Sequence, residues 1–360
     1  MDDYEIRKYD PQFKQQLLDL QSHHWRHDHA RRAAYFEWKY ERNPYMETPS
    51  IVVALKEQQV VGMLGMYGAK WEFGKDRQYT LCPCPADVVV EPSHRRRGLF
   101  KRMMIVLFEE LVSRGYRHTF ALSAGTNSSP GLLSIDWRII GPAETMRRRH
   151  HRARFREYLR RAGASLGVSE PRKHAFSLLD QNIAKGGILI RSMARPAQME
   201  QLIHRLDYDG RIRHVRDADY FGWRFQNPFS DYRFLFSGED SLEGYLVLQA
   251  SYDADRLSAT IVDWEASTFE IRMKLLQTAV ECGRFENLFT WSVMLPDDLK
   301  ALLRKLGFKP VGEKGGKRDR PVLVRPLQNA KQEENWWLGG YSLIEPASWD
   351  LRWLYSDHCS

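Results

Sequence analysis

Residues 86–104 read Ala-Asp-Val-Val-Val-Glu-Pro-Ser-His-Arg-Arg-Arg-Gly-Leu-Phe-Lys-Arg-Met-Met, and this stretch holds what a bound phosphate needs. Val88, Val89 and Val90 favour a strand and Pro92 stops it. Gly98 permits close backbone approach just before an apolar helix predicted from about Leu99 to Val112. The free N–H groups of such a helix start, at the positive end of its dipole, suit a diphosphate. Arg95, Arg96, Arg97, Lys101 and Arg102 add side-chain charge around the same turn. Asp87 is the carboxylate nearest the strand's reacting end, with Glu91 and Glu72 behind it as further candidates for moving a proton.

The flanking elements form an order of their own. Tyr4 to Lys8 reads as a first strand, Ile51 to Ala54 and Val60 to Met66 as a hairpin, and Tyr116 to Ser123 as a strand. Asn127, a short helix and a strand from Trp137 to Ile140 come next. Together these resemble the GNAT superfamily of N-acyltransferases, whose Gln/Arg-x-x-Gly-x-Gly/Ala loop is matched by Arg95-x-x-Gly98-x-Phe100. The resemblance implies acetyl-CoA or another acyl-CoA as co-substrate, with no metal. It places the pantetheine arm along Val88, Val89 and Val90, and the diphosphate on Arg95, Arg96, Arg97, Gly98, Leu99, Phe100 and Lys101, with Asn127 at the next strand end. An amine would attack the thioester directly, the Val90 N–H would stabilise the developing oxyanion, and Asp87 or a water chain would take the proton. Departures are Phe100 where Gly or Ala is usual, Asp136-Trp137 where Gly-aromatic is usual, and Leu132 where many relatives carry an acidic Tyr.

Tyr35-Phe-Glu-Trp-Lys-Tyr-Glu-Arg-Asn-Pro44 recurs as Tyr220-Phe-Gly-Trp-Arg-Phe-Gln-Asn-Pro228, one residue shorter, and each copy precedes a strand hairpin. The repeat predicts an α/β (α+β) chain of two tandem GNAT-like domains, each a mixed, mostly antiparallel sheet flanked by helices. The expected boundaries are 1–145 for the domain with the acyl-CoA site, 146–184 for a basic linker, 185–328 for a degenerate second domain and 329–360 for a Trp-rich tail that packs back. In the second copy Glu265-Ala-Ser-Thr-Phe269 stands at the loop, without glycine or arginine. It is expected to bring an unoffset carboxylate to the phosphate position. Relatives of this plan accompany surface-polysaccharide synthesis, which implies an amine of a small acceptor such as a phosphorylated or nucleotide-linked amino sugar. The alternatives are an aminoacyl-tRNA-dependent peptidyl transferase and a non-catalytic acyl-CoA sensor.

The 54 Lys and Arg against 46 Asp and Glu give a net charge of +8, which favours anionic partners. The run Arg147 to Arg161 carries few aromatic residues for base stacking and no clear apolar face, so a solvated helix or linker is expected and nucleic acid is disfavoured. No apolar run is long enough to span a bilayer, and the charged start resembles no signal peptide. A cytoplasmic protein is expected, with a homodimer left open. His23 and His27 share a helical face, but nothing nearby completes a zinc pattern. Cys82 and Cys84 read as core residues.

Overall fold

The computed structural model describes residues 4–23, 25, 27–122, 124–125, 128–150, 184–253, 256–282, 285–311 and 320–356. Its first half opens with an antiparallel sheet in the order β1 (Glu5–Lys8), β2 (Ser50–Lys56), β3 (Gln59–Tyr67), β6 (Cys84–Val90). The β-branched run of β2 is buried almost throughout, so helices must cover both faces of the sheet. Glu57 and Gln58, both with positive φ, close the β2–β3 hairpin as a two-residue turn whose twist matches the strands. On one face lies α3 (Leu99–Ser113), whose Leu99, Met103, Leu107 and Leu111 recur at helical spacing against Val52 and Ala54. On the other lie α1 (Lys14–Leu20), the end of α2 (His29–Phe36) and the turn after it, packing Leu17, Phe36 and Tyr40 on Val53 and Val89. β4 (Lys70–Phe73) and β5 (Gln78–Leu81) form a side hairpin.

Beyond α3 run β7 (His118–Ala121), α4 (Ser129–Leu133), β8 (Arg138–Pro142) and β9 (Thr145–Arg149). The second half repeats the order. After β10 (Ala184–Lys185) come β11 (Ile188–Arg191), α5 (Pro196–Arg205), β12 (Arg213–His214) and α6 (Ala218–Arg224). β13 (Tyr232–Ser237), β14 (Gly244–Asp253), β15 (Arg256–Ala266) and α7 (Phe269–Cys282) are next, then β16 (Asn287–Trp291), α8 (Asp297–Lys305), β17 (Lys309–Pro310) and β18 (Pro321–Pro326). A π-helical turn at Glu37–Glu41, just after α2, takes up the one residue by which the first copy of the repeat is longer.

The two halves meet about a local two-fold. Trp38 and Trp223 stack with ring centroids 4.8 Å apart, and each indole N–H donates to the other's carbonyl at 2.7 Å. They also exchange their last strands. β9 lies between β16 and β17 in the second half's sheet, while β18 lies between β7 and β8 in the first half's. The boundary expected at 145/146 therefore does not part the halves: Met146 to Arg149, expected as linker, are sheet residues, and the rest of the basic segment from His151 lies outside the described residues. The tail is packed against the seam, with Trp349 buried edge-on to Trp71 and Phe120, and the Leu354 carbonyl accepting from Tyr220 and Arg224.

Candidate active site

The site is built where β6 runs into α3. Gly98 caps the helix in the left-handed region at φ +72°, and an added Cβ there would meet nothing within 4 Å. Glycine is thus required by backbone conformation rather than by crowding. No side chain caps the helix, and its first backbone bond is Arg102 N–H to Gly98 O, so the N–H groups of Leu99, Phe100 and Lys101 lie ahead of it. The basic side chains divide into two sets. Arg95 donates through Nε to the Val90 carbonyl at 2.9 Å and Arg102 donates to the Tyr4 carbonyl, so both tie the turn down. Arg96, itself at φ +62°, and Lys101 are exposed beside it, as is Arg97.

The strand presents its edge. Glu91 N–H donates to Val61 O, so the pair Val90–Gly62 is a non-hydrogen-bonded one and the Val90 N–H faces away from β3. That edge looks toward β7, which belongs to a separate sheet: Thr119 reaches the Pro83 carbonyl near the start of β6, and no ladder joins the two strands. Val88 and Val90 pack with the α3 core, whereas Val89 points into the opposite core. Leu99 is buried, so only its N–H can serve a ligand, and the Phe100 ring covers α4 at Gly131, where a Cβ would lie 2.8 Å from it. Asn127 lies outside the described residues.

Asp87 does not stand free as a base. Its side chain is 1 % exposed. One carboxylate oxygen accepts from Lys39 Nζ at 3.0 Å and the other from the Tyr40 hydroxyl at 2.7 Å. It sits at φ +47° where the β3–β6 register shifts, a bulge that re-aims the valines after it. Gly65 makes room for Tyr40, whose hydroxyl would come within 2.3 Å of a Cβ there. The second half repeats the device. Asp263 stands three residues before Ala266, which pairs with Gly244 as Val90 pairs with Gly62, and it accepts from Arg216 at 3.2 Å and Tyr245 at 2.6 Å. A carboxylate retained with a cation and a tyrosine in both halves is framework. Glu72 is likewise engaged, by Arg213 at 2.7 Å and Arg77 at 3.5 Å. Leu132, at the family's acid position, is buried in the core.

Residues 5–131 match the GNAT acetyltransferase domain family. Those residues carry a GNAT acetyltransferase domain. Three solved structures share the fold with the chain over 90 % of its length and 73 % of theirs: Eis1 from Mycobacterium abscessus (12 % identity, TM-score 0.52), a conserved protein of unknown function from Enterococcus faecalis V583, given as a probable N-acyltransferase (11 %, 0.61), and a GCN5-related N-acetyltransferase from Anabaena variabilis (14 %, 0.57). No curated protein matches the sequence. The N-acyltransferase assignment rests on the matched domain, and the solved structures, all under 25 % identical, show the fold alone.

Among the described residues no three His, Cys, Asp or Glu side chains converge on a metal position, and no helix is long and apolar enough to cross a membrane. His27 instead lies 4.1 Å from the Phe229 ring, where burial, then Arg31, holds its imidazole below the usual range, and Cys82 and Cys84 are free thiols in the core. Reading by residue type missed Lys39 and Tyr40, whose sequence context is an aromatic helix; their only signal was the position of Lys39 beside the repeated Trp38. The second half corrects one expectation. Glu265 is not in the loop but in β15, paired with Tyr245, and Arg216, Arg272 and Arg352 reach its carboxylate within 3.2 Å. Burial alone would raise this carboxyl, but the arginines, Arg352 first, outweigh it and hold it below its ordinary range.

Proposed function

We propose that the first half transfers an acyl group, acetyl foremost, from CoA to the amine of a small acceptor, an amino sugar or its phosphorylated or nucleotide-linked form, by direct attack with both substrates bound. The observation that carries this reading is the uncapped start of α3 behind the left-handed Gly98, set beside the open edge of β6. Arg96, Arg97 and Lys101 with the first-turn N–H groups suit the diphosphate, and the pantetheine arm would lie along Val88 to Val90. The Val90 N–H is the donor best placed by strand alternation for charge developing on the thioester oxygen. Asp87 acts by holding the bulge, and water takes the amine proton. The second half, whose strand continues almost directly into α7, holds no acyl-CoA.

Titration of the chain with acetyl-CoA tests this. One molecule per chain is expected, with binding lost in Gly98→Val, where a branched residue is forced to positive φ, and weakened in Gly98→Ala; circular dichroism checks that both fold. Two molecules per chain, or unchanged affinity in both variants, would overturn the assignment. Release of CoA thiol with glucosamine or a nucleotide-linked amino sugar as acceptor then tests the substrate class.

A further inference from the structure

In the second half the counterpart of the acyl-CoA cleft is not filled. β15 and β16 run parallel and paired from Ser258–Asn287 to Ile261–Thr290, then part, and a cavity of about 160 Å³ opens between the end of β15 and the segment after β16. One wall is apolar, made by Met294, Leu295 and Leu299; Met294 is held at φ +59°. The facing wall is charged, and nearly every charge is committed. Arg352 donates to Asp350, Glu265 and the Trp264 carbonyl, Arg211 to Asp209 and the Trp349 carbonyl, and Arg272 to Glu265. Two groups on the wall are left over among the described residues. Arg213, 5 % exposed, uses Nε on Glu72 and lays its guanidinium over the Tyr208 ring at 4.1 Å but has no acceptor for Nη2, and Asp207 is an exposed carboxylate without hydrogen bond or ion pair. A shielded N–H with no acceptor is costly, and a guanidinium is made to hold a carboxylate.

We propose that this cleft binds a small zwitterion, a free α-amino acid with an apolar side chain. Its carboxylate would meet Arg213, its ammonium Asp207, and its side chain the Leu295 and Leu299 wall. At roughly 10–15 Å³ for each water-sized position the cavity takes on the order of ten non-hydrogen atoms, which suits a single amino acid and excludes a nucleotide or the CoA arm. The wall's charges otherwise cancel in pairs, so a ligand with both signs fits better than a simple anion.

The test is calorimetric titration of the full chain with L-leucine, 4-methylpentanoate, which lacks the ammonium, and 3-methylbutylamine, which lacks the carboxylate. Saturable binding of leucine is expected, at least roughly tenfold tighter than either half-ligand, and at least roughly tenfold weaker in Asp207→Asn and in Arg213→Lys. Asp207 is exposed, so its variant keeps the test decisive if the Arg213 variant fails to fold. No saturable binding of leucine would overturn the proposal, as would equal binding of 4-methylpentanoate or undiminished binding in Asp207→Asn. Acetyl-CoA titrated in parallel reports the first half separately, so that failure of either reading is seen alone.

Discussion

Val90 and Ala266 end equivalent strands, and the connection from each strand to its helix accounts for the difference between the halves. After Val90 the chain makes a basic turn of eight residues with Gly98 and Arg96 at positive φ before α3 begins; after Ala266 only Ser267 and Thr268 intervene before α7. Both ends keep a buried acid three residues earlier, clamped by a cation and a tyrosine; β15 leaves its parallel neighbour β16 after Ile261, and no ladder joins β6 to β7. The clamped strand end is therefore separable from the glycine turn that follows it in the first half. In the second half arginines serve internal carboxylates, whereas the first half leaves Arg96 and Lys101 to solvent.

The largest effect should come from breaking the clamp. Lys39→Met would strand the Asp87 carboxylate in the interior, at a cost of about 3–5 kcal/mol in urea unfolding, and Arg216→Met should cost a similar amount through Asp263. Adding Asp87→Asn to Lys39→Met should restore part of the loss. If Lys39→Met were neutral while Arg216→Met were not, the two clamps would not be equivalent.

A second effect concerns the seam. His214 is buried among Tyr45, Trp71, Tyr220 and Tyr355, and burial lowers its imidazole to about 3 from the ordinary 6.5, while its hydrogen bond to Val215 O pulls the other way. The folded chain then binds fewer protons than the unfolded one between these values. Its contribution is complete above pH 6.5 and falls as pH drops toward 3, at up to about 1.4 kcal/mol per pH unit. Stability measured from pH 7 to 4 should decline less steeply in His214→Gln; equal slopes would place the acid sensitivity elsewhere.

The smallest effect distinguishes the two helix starts. Arg96→Ala and Lys101→Ala should each weaken acetyl-CoA binding by roughly two- to fivefold at low salt and less at high salt, because exposed charges are screened. Lys274→Ala, an exposed change on α7, should leave it unaltered.

Much of the candidate site's backbone was legible because it is local. A β-branched run, a proline, a glycine and an apolar helix succeed one another within a short stretch, and each sets its own backbone. The internal repeat was legible for the same reason, and its one-residue difference marked the π-turn without revealing it. Asp87 was misread because its partners, Lys39 and Tyr40, lie far back along the chain, and a carboxylate's role depends on what its oxygens touch. Glu265 was misplaced because a single-residue choice of register decides whether a side chain faces a loop or a core, and only pairing with β14 sets it.

Residue order alone therefore determined the internal repeat and the basic glycine turn before α3, which has no counterpart before α7. Tertiary structure alone decided that the halves trade β9 and β18, that Trp38 and Trp223 join them, and that the second cleft stays open among paired arginines. Strand identity comes from local pattern, but either half's last strand offers a neighbour the same backbone hydrogen bonds. Which sheet it completes is settled by long-range packing that no local segment encodes.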